Sequence, residues 1–421
     1  MNISQFPYNS YTNHNFFYSI QAWIPDCSSS FYKYEVYEIP GENSVGSGIV
    51  ERIGEKEGEI RQESVNGRIQ EAAVIPDHST AMGLIKKALT EPANGIISSV
   101  DEIVGIGHRV VHGGEEYSES VLIDEEVIRS IDKNSELAPL HNPAHLMGIR
   151  AAEEMVPGCK QVAVFDTAFH QTMSPASYLY GIPYELYKKY KIRRYGFHGT
   201  SHRYVASEAV KLMKRSLENT NVISCHLGNG ASITAISHGK SVETSMGFTP
   251  LSGLVMGTRC GDIDPAVVLY LLERGYSTGE VNDILNKKSG LLGLSGISND
   301  LRDLEDAAEK KHERAVQALD VYAHQIRNYI GAYAANIVRL DILVFTGGIG
   351  EHGTRMRERI CRRLESIGIV MDYRKNLEVG PNKGIISAPY SPTSICVVPT
   401  NEELQIAKDT YSIIFGKKEE I

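Results

Sequence analysis

The stretch NVISCHLGNGASITAISHGKSVETS, residues 221–245, indicates the fold of this chain. It reads as three short strands, in which VISCHL ends in the glycine turn GNG, ASITAIS follows, and a tight turn at HGK precedes SVETS. Residues 20–52 can be interpreted in the same way, with turns before YKYEVYEI and at PGEN. Two such three-stranded meanders, about 200 residues apart, suggest a duplicated domain.

The rest of the chain alternates between short apolar runs and helical stretches, the latter at 122–133, 299–339 and 353–367. This alternation predicts an α/β architecture with a largely parallel or mixed sheet. A chain of 421 residues is too long for one compact core, so we expect two domains. Residues 1–20 are rich in Asn, Tyr, Ser and Phe without a helical or strand period, and we expect them to be poorly ordered.

The composition narrows the class of partner. A net charge of −9 argues against nucleic acid or an anionic membrane as the main partner. The chain has no apolar run of about 18 residues and no secretory signal at its start, so we expect no membrane span and a cytoplasmic protein. The six cysteines are scattered without a CxxC pair, which is typical of reduced thiols rather than of a disulfide framework or a metal site.

Two glycine loops predict a site for an anion. HLGNGAS, residues 226–232, lies between two predicted strands, and TGGIGEH, residues 346–352, follows the apolar run DILVF and precedes a helix. Glycine lets the backbone approach a ligand closely, and a helix start directs N–H groups at negative charge. A P-loop is excluded because Thr234 stands where GKS at 239–241 needs the first glycine, and a G-x-G-x-x-G spacing occurs only late, at 348–353.

Charged residues beside the predicted strands are candidates for binding phosphate, carboxylate and Mg²⁺. Arg109 lies in GHRVVHGG and Arg259 in MGTRCGDIDP, and arginine between glycines suits a bidentate grip on phosphate or carboxylate. Asp166 ends VAVFD, and Glu402 and Glu403 follow CVVPTN, where carboxylates either bind Mg²⁺ or cap helices. This inventory is typical of phosphoryl transfer, which needs positioning, Mg²⁺ and positive charge.

Nine motifs in this order resemble those of the acetate kinase family: GHRVVHGG, LAPLHNP, VAVFDTAFH, RRYGFHGTSHRYV, HLGNGAS, TSMGFTPLSGLVMGTRCGDIDP, SGISNDLRD, FTGGIGEH and PTNEEL. The resemblance runs from about Lys33 to about Asp409. It implies the fold of the acetate and sugar kinase/actin-like superfamily, in which two duplicated ribonuclease H-like domains enclose a nucleotide cleft. We expect one domain at 1–166 plus 403–421, a nucleotide-binding domain at 167–402, and a homodimer.

The resemblance also implies the reaction. Such enzymes transfer the γ-phosphoryl group of ATP directly, in line, to acetate and give ADP and acetyl phosphate reversibly, with Mg²⁺ and possible replacement by Mn²⁺. Two alternatives stay open at this point. A propionate or butyrate kinase would share the same motifs, and a catalytically impaired member would bind nucleotide without efficient turnover.

Site residues follow from the resemblance by position. Arg109 and Arg259 correspond to the arginines that hold the transferring phosphoryl group, His198 to a histidine that hydrogen-bonds it, and Asp166 to an acidic residue near the acetate. His141 corresponds to an active-site histidine of lesser weight. The implied pocket for the acetate methyl group comprises Val111, Leu140, Phe197 and Pro250.

The implied ATP and metal sites draw on several loops. The implied nucleotide-binding residues are Lys33, His226, Leu227, Gly228, Asn229, Gly230, Asp300, Leu301, Arg302, Gly348, Ile349, Gly350, Glu351 and His352. His352 stands where the family usually has asparagine. The implied Mg²⁺ ligands are Glu402, preferred over Glu403, and Asp26.

The segment before Lys33 departs from the family, which has N-x-G-S-S-S-x-K there. Counting back from Lys33 in WIPDCSSSFYK puts Asp26 at the asparagine, Ser28 at the glycine and Phe31 at the last serine. Aligning the three serines instead places Ser28 to Ser30, leaves one extra residue before Lys33 and puts Pro25 at the asparagine. Because the loss of match is abrupt and confined to 1–32, one hypothesis is a compensated frameshift or gene-model error. If the segment is genuine, Asp26 can still bind Mg²⁺, but Phe31 would crowd the phosphate loop and weaken activity.

Overall fold

The computed structural model describes residues 17–22, 31–39, 41–139 and 141–416, with side chains described from Phe31 onward. Its strands within these ranges form two mixed sheets. The strands of the first sheet are β1 (Phe17–Ala22), β2 (Phe31–Ile39), β3 (Asn43–Glu51), β4 (Gly58–Ser64), β5 (Gly67–Ala73), β6 (Ile103–Val110), β7 (Val121–Leu122) and β8 (Gln161–Phe165). The strands of the second sheet are β9 (Asn221–Leu227), β10 (Ala231–Ser237), β11 (Lys240–Thr244), β12 (Ile342–Thr346), β13 (Gly384–Ile385) and β14 (Ser394–Val397).

Helices cover both sheets and connect their strands. In the first half of the chain they are α1 (His78–Leu89), α2 (Glu125–Lys133), α3 (Asn142–Met155), α4 (Pro175–Tyr178), α5 (Tyr184–Tyr190) and α6 (Gly199–Leu212). In the second half they are α7 (Ala266–Glu273), α8 (Thr278–Lys287), α9 (Gly290–Ser295), α10 (Leu301–Glu309), α11 (Glu313–Asn336), α12 (Gly347–His352), α13 (Thr354–Cys361), α14 (Tyr373–Val379) and α15 (Glu402–Phe415). Within the described ranges no helix is both long and apolar enough to cross a bilayer.

The two sheets repeat one topology. In the first, β3, β2 and β1 form an antiparallel meander, and β1 continues into the parallel strands β6 and β8. In the second, β11, β10 and β9 form the same meander, and β9 continues into the parallel strands β12 and β14. The prediction of a duplicated α/β domain from the two meanders is therefore confirmed.

The first sheet differs from the prediction in one hairpin. The strands β4 and β5 extend the sheet beyond β3, where no strands were predicted. Residues 17–20 begin β1 and pair on both sides, with β2 and β6, whereas poor order at 1–20 stays a prediction. Residues 1–16 and residues 23–30, between β1 and β2, lie outside the described residues.

The second sheet is buried on both faces. The 24-residue helix α11 places Tyr322, Ala323 and Ile326 in one buried cluster with residues of β9, β10 and β12. On the other face, Val205 and Ala209 of α6 join a second cluster with residues of the same strands. A strand buried on both faces reads as a continuous apolar run, which explains the sequence DILVF.

The last described helix, α15, returns to the first sheet. Its Leu404 and Ala407 pack with Tyr37 and Ile39 of β2, and Ile406 packs with strand β8. The helix also approaches β6 closely, since a Cβ atom on Gly107 would lie 2.4 Å from Thr410 Oγ1. Glycine at this position therefore permits the packing that brings the start of α15 to the site described next.

Candidate functional site

A buried ion pair lies at the carboxyl ends of two neighbouring parallel strands. Arg109 is near the end of β6 and Asp166 follows β8, so the pairing of these strands brings the two side chains together. Arg109 Nε donates to Asp166 Oδ1 at 2.9 Å and Nη2 donates to Oδ2 at 2.5 Å. The two side chains are only 10% and 1% exposed. This bidentate contact fixes the orientation of the guanidinium group and compensates the buried carboxylate.

The first turn of α15 brings two glutamates to the same region. Asn401 caps the helix, accepting from the backbone N–H of Leu404 at 2.8 Å. Glu403 forms an ion pair with Lys33 of β2, whereas Glu402 Oε2 is buried and has no hydrogen-bond partner among the described residues. Burial raises the pKa of Glu402 to about 7, with nearby Arg109 opposing the rise. Of the two glutamates, Glu402 thus has an oxygen available for a cation.

A neutral histidine lies beside the glycine turn that joins β9 and β10. His198 precedes α6 with a left-handed backbone, φ 56°, and its ring stacks on His226 with centroids 4.3 Å apart. A Cβ atom on Gly230 would lie 3.6 Å from both His198 Nε2 and Arg259 Nη1, so all three residues converge. Burial lowers the pKa of His198 well below its usual range, and the neighbouring His226 and Arg109 lower it further. The imidazole is therefore neutral at physiological pH.

Arg259 has no carboxylate partner among the described residues. Its Nη1 donates to the carbonyl oxygen of Pro250 at 3.2 Å and to Met256 Sδ at 3.8 Å. The guanidinium group is therefore held by weak contacts of neutral atoms and keeps donors available for an anion.

Two of the four apolar residues expected around the acetate methyl group lie in the same buried cluster. Val111 and Phe197 are 5% and 3% exposed and belong to the same buried cluster. Pro250 is half-buried beside Arg259, whereas Leu140 lies outside the described residues, as does Asp26. His141 is half-buried at the start of α3, close to the buried His145.

A cleft of about 610 Å³ extends from the glycine turn into the second half of the chain, within the usual size range of small-molecule sites. The cleft-lining residues that the sequence predicted are Gly228, Asn229, Asp300, Leu301, Arg302, Gly348, Ile349 and His352. Asn299, Glu305 and Gly353 also line it and were missed. Asn299 donates to Asn229 Oδ1 at 3.0 Å, and its place in the motif SGISNDLRD was a signal that could have identified it.

The other predicted nucleotide residues have different surroundings. Leu227 and Gly350 are buried, and His226 pairs through Nδ1 with Ser201 Oγ at 2.8 Å. Glu351 Oε1 accepts from the backbone N–H groups of Gly347 at 2.9 Å and of Thr400 at 3.1 Å. These contacts hold the loops around the cleft in place.

Comparison with known proteins agrees with this architecture. The sequence model described as "Acetokinase family" matches residues 22–408, so the match begins within β1 rather than at Lys33. An acetate kinase of Geobacillus kaustophilus is 54% identical over 386 residues, which cover 91% of this chain and 96% of the relative.

Solved structures agree as well. The crystal structure of Porphyromonas gingivalis acetate kinase superposes with a TM-score of 0.89 and 44% identity, covering 94% of this chain and 100% of that one. That of a propionate kinase from Francisella tularensis superposes with a TM-score of 0.87 and 40% identity, covering 94% and 99%. The resemblance seen in the motifs is thereby confirmed along nearly the whole sequence. The chain belongs to the acetokinase family.

Proposed function

We propose that the chain catalyses the reversible transfer of the γ-phosphoryl group of ATP to a carboxylate oxygen of acetate, giving ADP and acetyl phosphate. The observation that carries this proposal is the convergence of His198 and Arg259 on the turn at Gly230, between the nucleotide-sized cleft and the buried residues Val111 and Phe197. The 54% identity to an acetate kinase supports the same conclusion.

The mechanism requires little acid–base chemistry. Acetate is ionised at neutral pH, so its oxygen can attack the γ-phosphorus without a general base, and catalysis depends on positioning and on stabilising spread negative charge. Arg109 and Arg259 supply the positive charge, and neutral His198 donates a hydrogen bond to the transferring group. Asp166, which engages Arg109 through both oxygens, holds that guanidinium beside the acetate.

The pocket for the methyl group discriminates by size. Val111, Phe197 and Pro250, with Leu140 as the fourth predicted member, would contact the acetate methyl group. A single methylene changes binding by roughly 1–3 kcal/mol in such pockets, so propionate is expected to be a slower substrate rather than an excluded one.

The residues present fit a magnesium ion. Glu402 has a buried oxygen without a hydrogen-bond partner, which a cation would satisfy. Within the described residues no group of three or more His, Cys, Asp or Glu side chains could hold a metal. A single carboxylate such as Glu402 suits Mg²⁺, which is usually bound by one or two carboxylates together with ATP phosphates and water. Asp26 is the proposed second ligand. Mg²⁺ or Mn²⁺ would neutralise charge on the β- and γ-phosphates when bound.

The cleft would hold the nucleoside of ATP. Asn229 and Asn299 line it and hydrogen-bond to each other, Asp300 caps α10, and Gly348 and His352 of α12 also line it. We assign 1–166 plus 403–421 to one domain and 167–402 to the nucleotide-binding domain. The packing of α15 on the first sheet supports this division.

We further propose a homodimer that buries α7. This helix has no buried residue, yet it exposes Val267, Leu269, Tyr270 and Leu272 at 43%, 62%, 54% and 37%. A helix with apolar side chains exposed along its length requires a covering surface, and a second copy of the chain supplies one for the same patch.

The function is tested by ATP-dependent acyl hydroxamate formation with acetate, propionate and butyrate at saturating Mg²⁺. We expect the highest kcat/KM with acetate. A higher kcat/KM with propionate or butyrate would reassign the substrate. Nucleotide binding without product from any of the three acids would contradict the proposed activity.

A further inference from the structure

A row of three hydrogen bonds lies behind His198. Its Nδ1 is 2.9 Å from Ser232 Oγ, which is 2.7 Å from His202 Nε2, and His202 Nδ1 is 2.9 Å from Ser224 Oγ. Ser224, Ser232 and His202 are fully buried. Ser232 on β10 is also the register partner of His226 on β9, the residue on which His198 stacks. The row thus connects the His198 ring to the interior of the second sheet.

Both imidazoles in the row are neutral and carry one proton each. Burial lowers the pKa of His202 well below its usual range, as it does for His198. Each of the three hydrogen bonds needs one hydrogen, and each hydroxyl or neutral imidazole supplies one. The hydrogens can therefore be arranged in three ways: donation along the row from Ser224 to His198, donation in the reverse direction, or donation from both imidazoles to Ser232. The third arrangement leaves the hydroxyl hydrogen of Ser232 without an acceptor, since Ser232 Oγ has no partner besides the two histidines among the described residues.

In the first direction every hydrogen bond within the row is made and no hydroxyl hydrogen is left over. Ser224 donates to His202 Nδ1, His202 Nε2 donates to Ser232, and Ser232 donates to His198 Nδ1. The proton of His198 is then on Nε2, the atom that converges with Arg259 on Gly230. This nitrogen can donate a hydrogen bond to a phosphoryl oxygen.

The reverse direction leaves a group unsatisfied. His198 would donate from Nδ1, and the hydroxyl hydrogen of Ser224 would have to find another acceptor. Across the described part of the chain Ser224 Oγ has no hydrogen-bond partner other than His202. A buried hydroxyl without an acceptor is unfavourable, and the bare Nε2 lone pair would face the phosphoryl oxygens.

We infer that Ser224, His202 and Ser232 are positioning residues, which hold His198 in the tautomer with its proton on Nε2 so that it donates to the transferring phosphoryl group. The inference rests on the proposed function for its catalytic consequence, but the tautomer itself is a property of the protein without substrate.

The direct test is ¹⁵N NMR of the histidine-labelled enzyme. The shifts of the two ring nitrogens distinguish a protonated from an unprotonated nitrogen, and His198→Gln identifies the His198 signals by their loss. We expect protonated Nε2 in both His198 and His202. A proton on Nδ1 of His198 in the unaltered protein would overturn the inference, whether or not the protein phosphorylates acetate.

Two substitutions test the row as the cause. Ser232→Ala removes the hydroxyl that bonds both histidines, and Ser224→Ala removes the far end without touching His198. We expect the Nε2 preference of His198 to weaken in both. With Ser232→Ala we expect kcat to fall roughly tenfold while KM for ATP and acetate changes less than about twofold, as for loss of one hydrogen bond used in the transition state.

A matched control is available on the same strand. Thr234, two residues beyond Ser232, is fully buried and pairs its hydroxyl with Thr244 Oγ1 at 3.0 Å, away from His198. Thr234→Val should leave the His198 signals and kcat unchanged. If both serine variants fold and keep the wild-type tautomer, or if Thr234→Val alters it equally, the row does not position His198.

Discussion

Arg109 is expected to stabilise the fold as well as to bind the phosphoryl group, and the two roles can be separated by substitution. Arg109→Met keeps an apolar stem of similar length but leaves Asp166, only 1% exposed, without its bidentate partner. Removing one member of a buried ion pair costs about 3–5 kcal/mol because the remaining charge is uncompensated. Total domain stabilities are about 5–15 kcal/mol, so the loss should be large in urea unfolding followed by far-UV circular dichroism.

The double variant Arg109→Met/Asp166→Asn removes the stranded charge. We expect it to be at least about 2 kcal/mol more stable than Arg109→Met alone, because replacing both members of a buried pair costs much less than breaking it. Both proteins should lack acetate kinase activity, since the guanidinium group is absent from each. The reasoning is refuted if Arg109→Met loses less than about 1 kcal/mol, or if the double variant is no more stable than the single one.

Three further predictions concern the metal, the second arginine and the dimer. Arg259→Ala should lower kcat about 10³-fold with an unchanged urea midpoint, since the hydrogen bonds of Arg259 within the described ranges go to neutral atoms; near-normal turnover would contradict its role. The pKa of Glu402 is raised from 4.5 to about 7, so without Mg²⁺ its contribution to stability is present below pH 4.5 and lost as the pH rises through 7. Without Mg²⁺, the free energy of unfolding of Glu402→Gln should therefore rise relative to that of the wild type between pH 5 and about 8. If the difference between the two proteins does not change with pH, this ionisation is excluded. Leu269→Glu in α7 should give monomers by analytical ultracentrifugation, whereas Leu377→Glu, 68% exposed on α14, should leave the dimer intact; a monomeric wild type would contradict the interface.

The duplicated fold could be predicted from local sequence patterns because each meander consists of strands that follow one another in the sequence. The turns at 228–230 and 238–239 are visible in the glycine spacing, and the strands pair with their immediate successors. A signal for the β4–β5 hairpin was also present, since Asn66–Gly67 is a typical hairpin dipeptide, but both flanking strands are rich in polar residues and β5 has no buried residue. Their apolar period was too weak for the prediction.

The contacts within the site could not be read from the sequence because they depend on distant packing. The choice between Glu402 and Glu403 depends on how α15 lies on β2 and β6. The contacts of Arg357 also depend on distant packing, since an arginine in the charged stretch RMRER would be predicted to lie on the surface. Its side chain is fully buried and donates to the carbonyl oxygens of Gly350 at 2.8 Å and Glu351 at 2.5 Å.

The return of α15 to the first sheet also determines the order in which the protein can be completed during translation. About 240 residues separate the end of β8 from the start of α15. At roughly 5–20 residues per second, a ribosome needs on the order of 12–50 s to synthesise that interval. During this time the apolar side chains of Tyr37, Ile39 and Val162 are not yet covered by α15, on which they pack in the folded protein. Until α15 is made, the nascent chain therefore exposes apolar surface to which chaperones can bind.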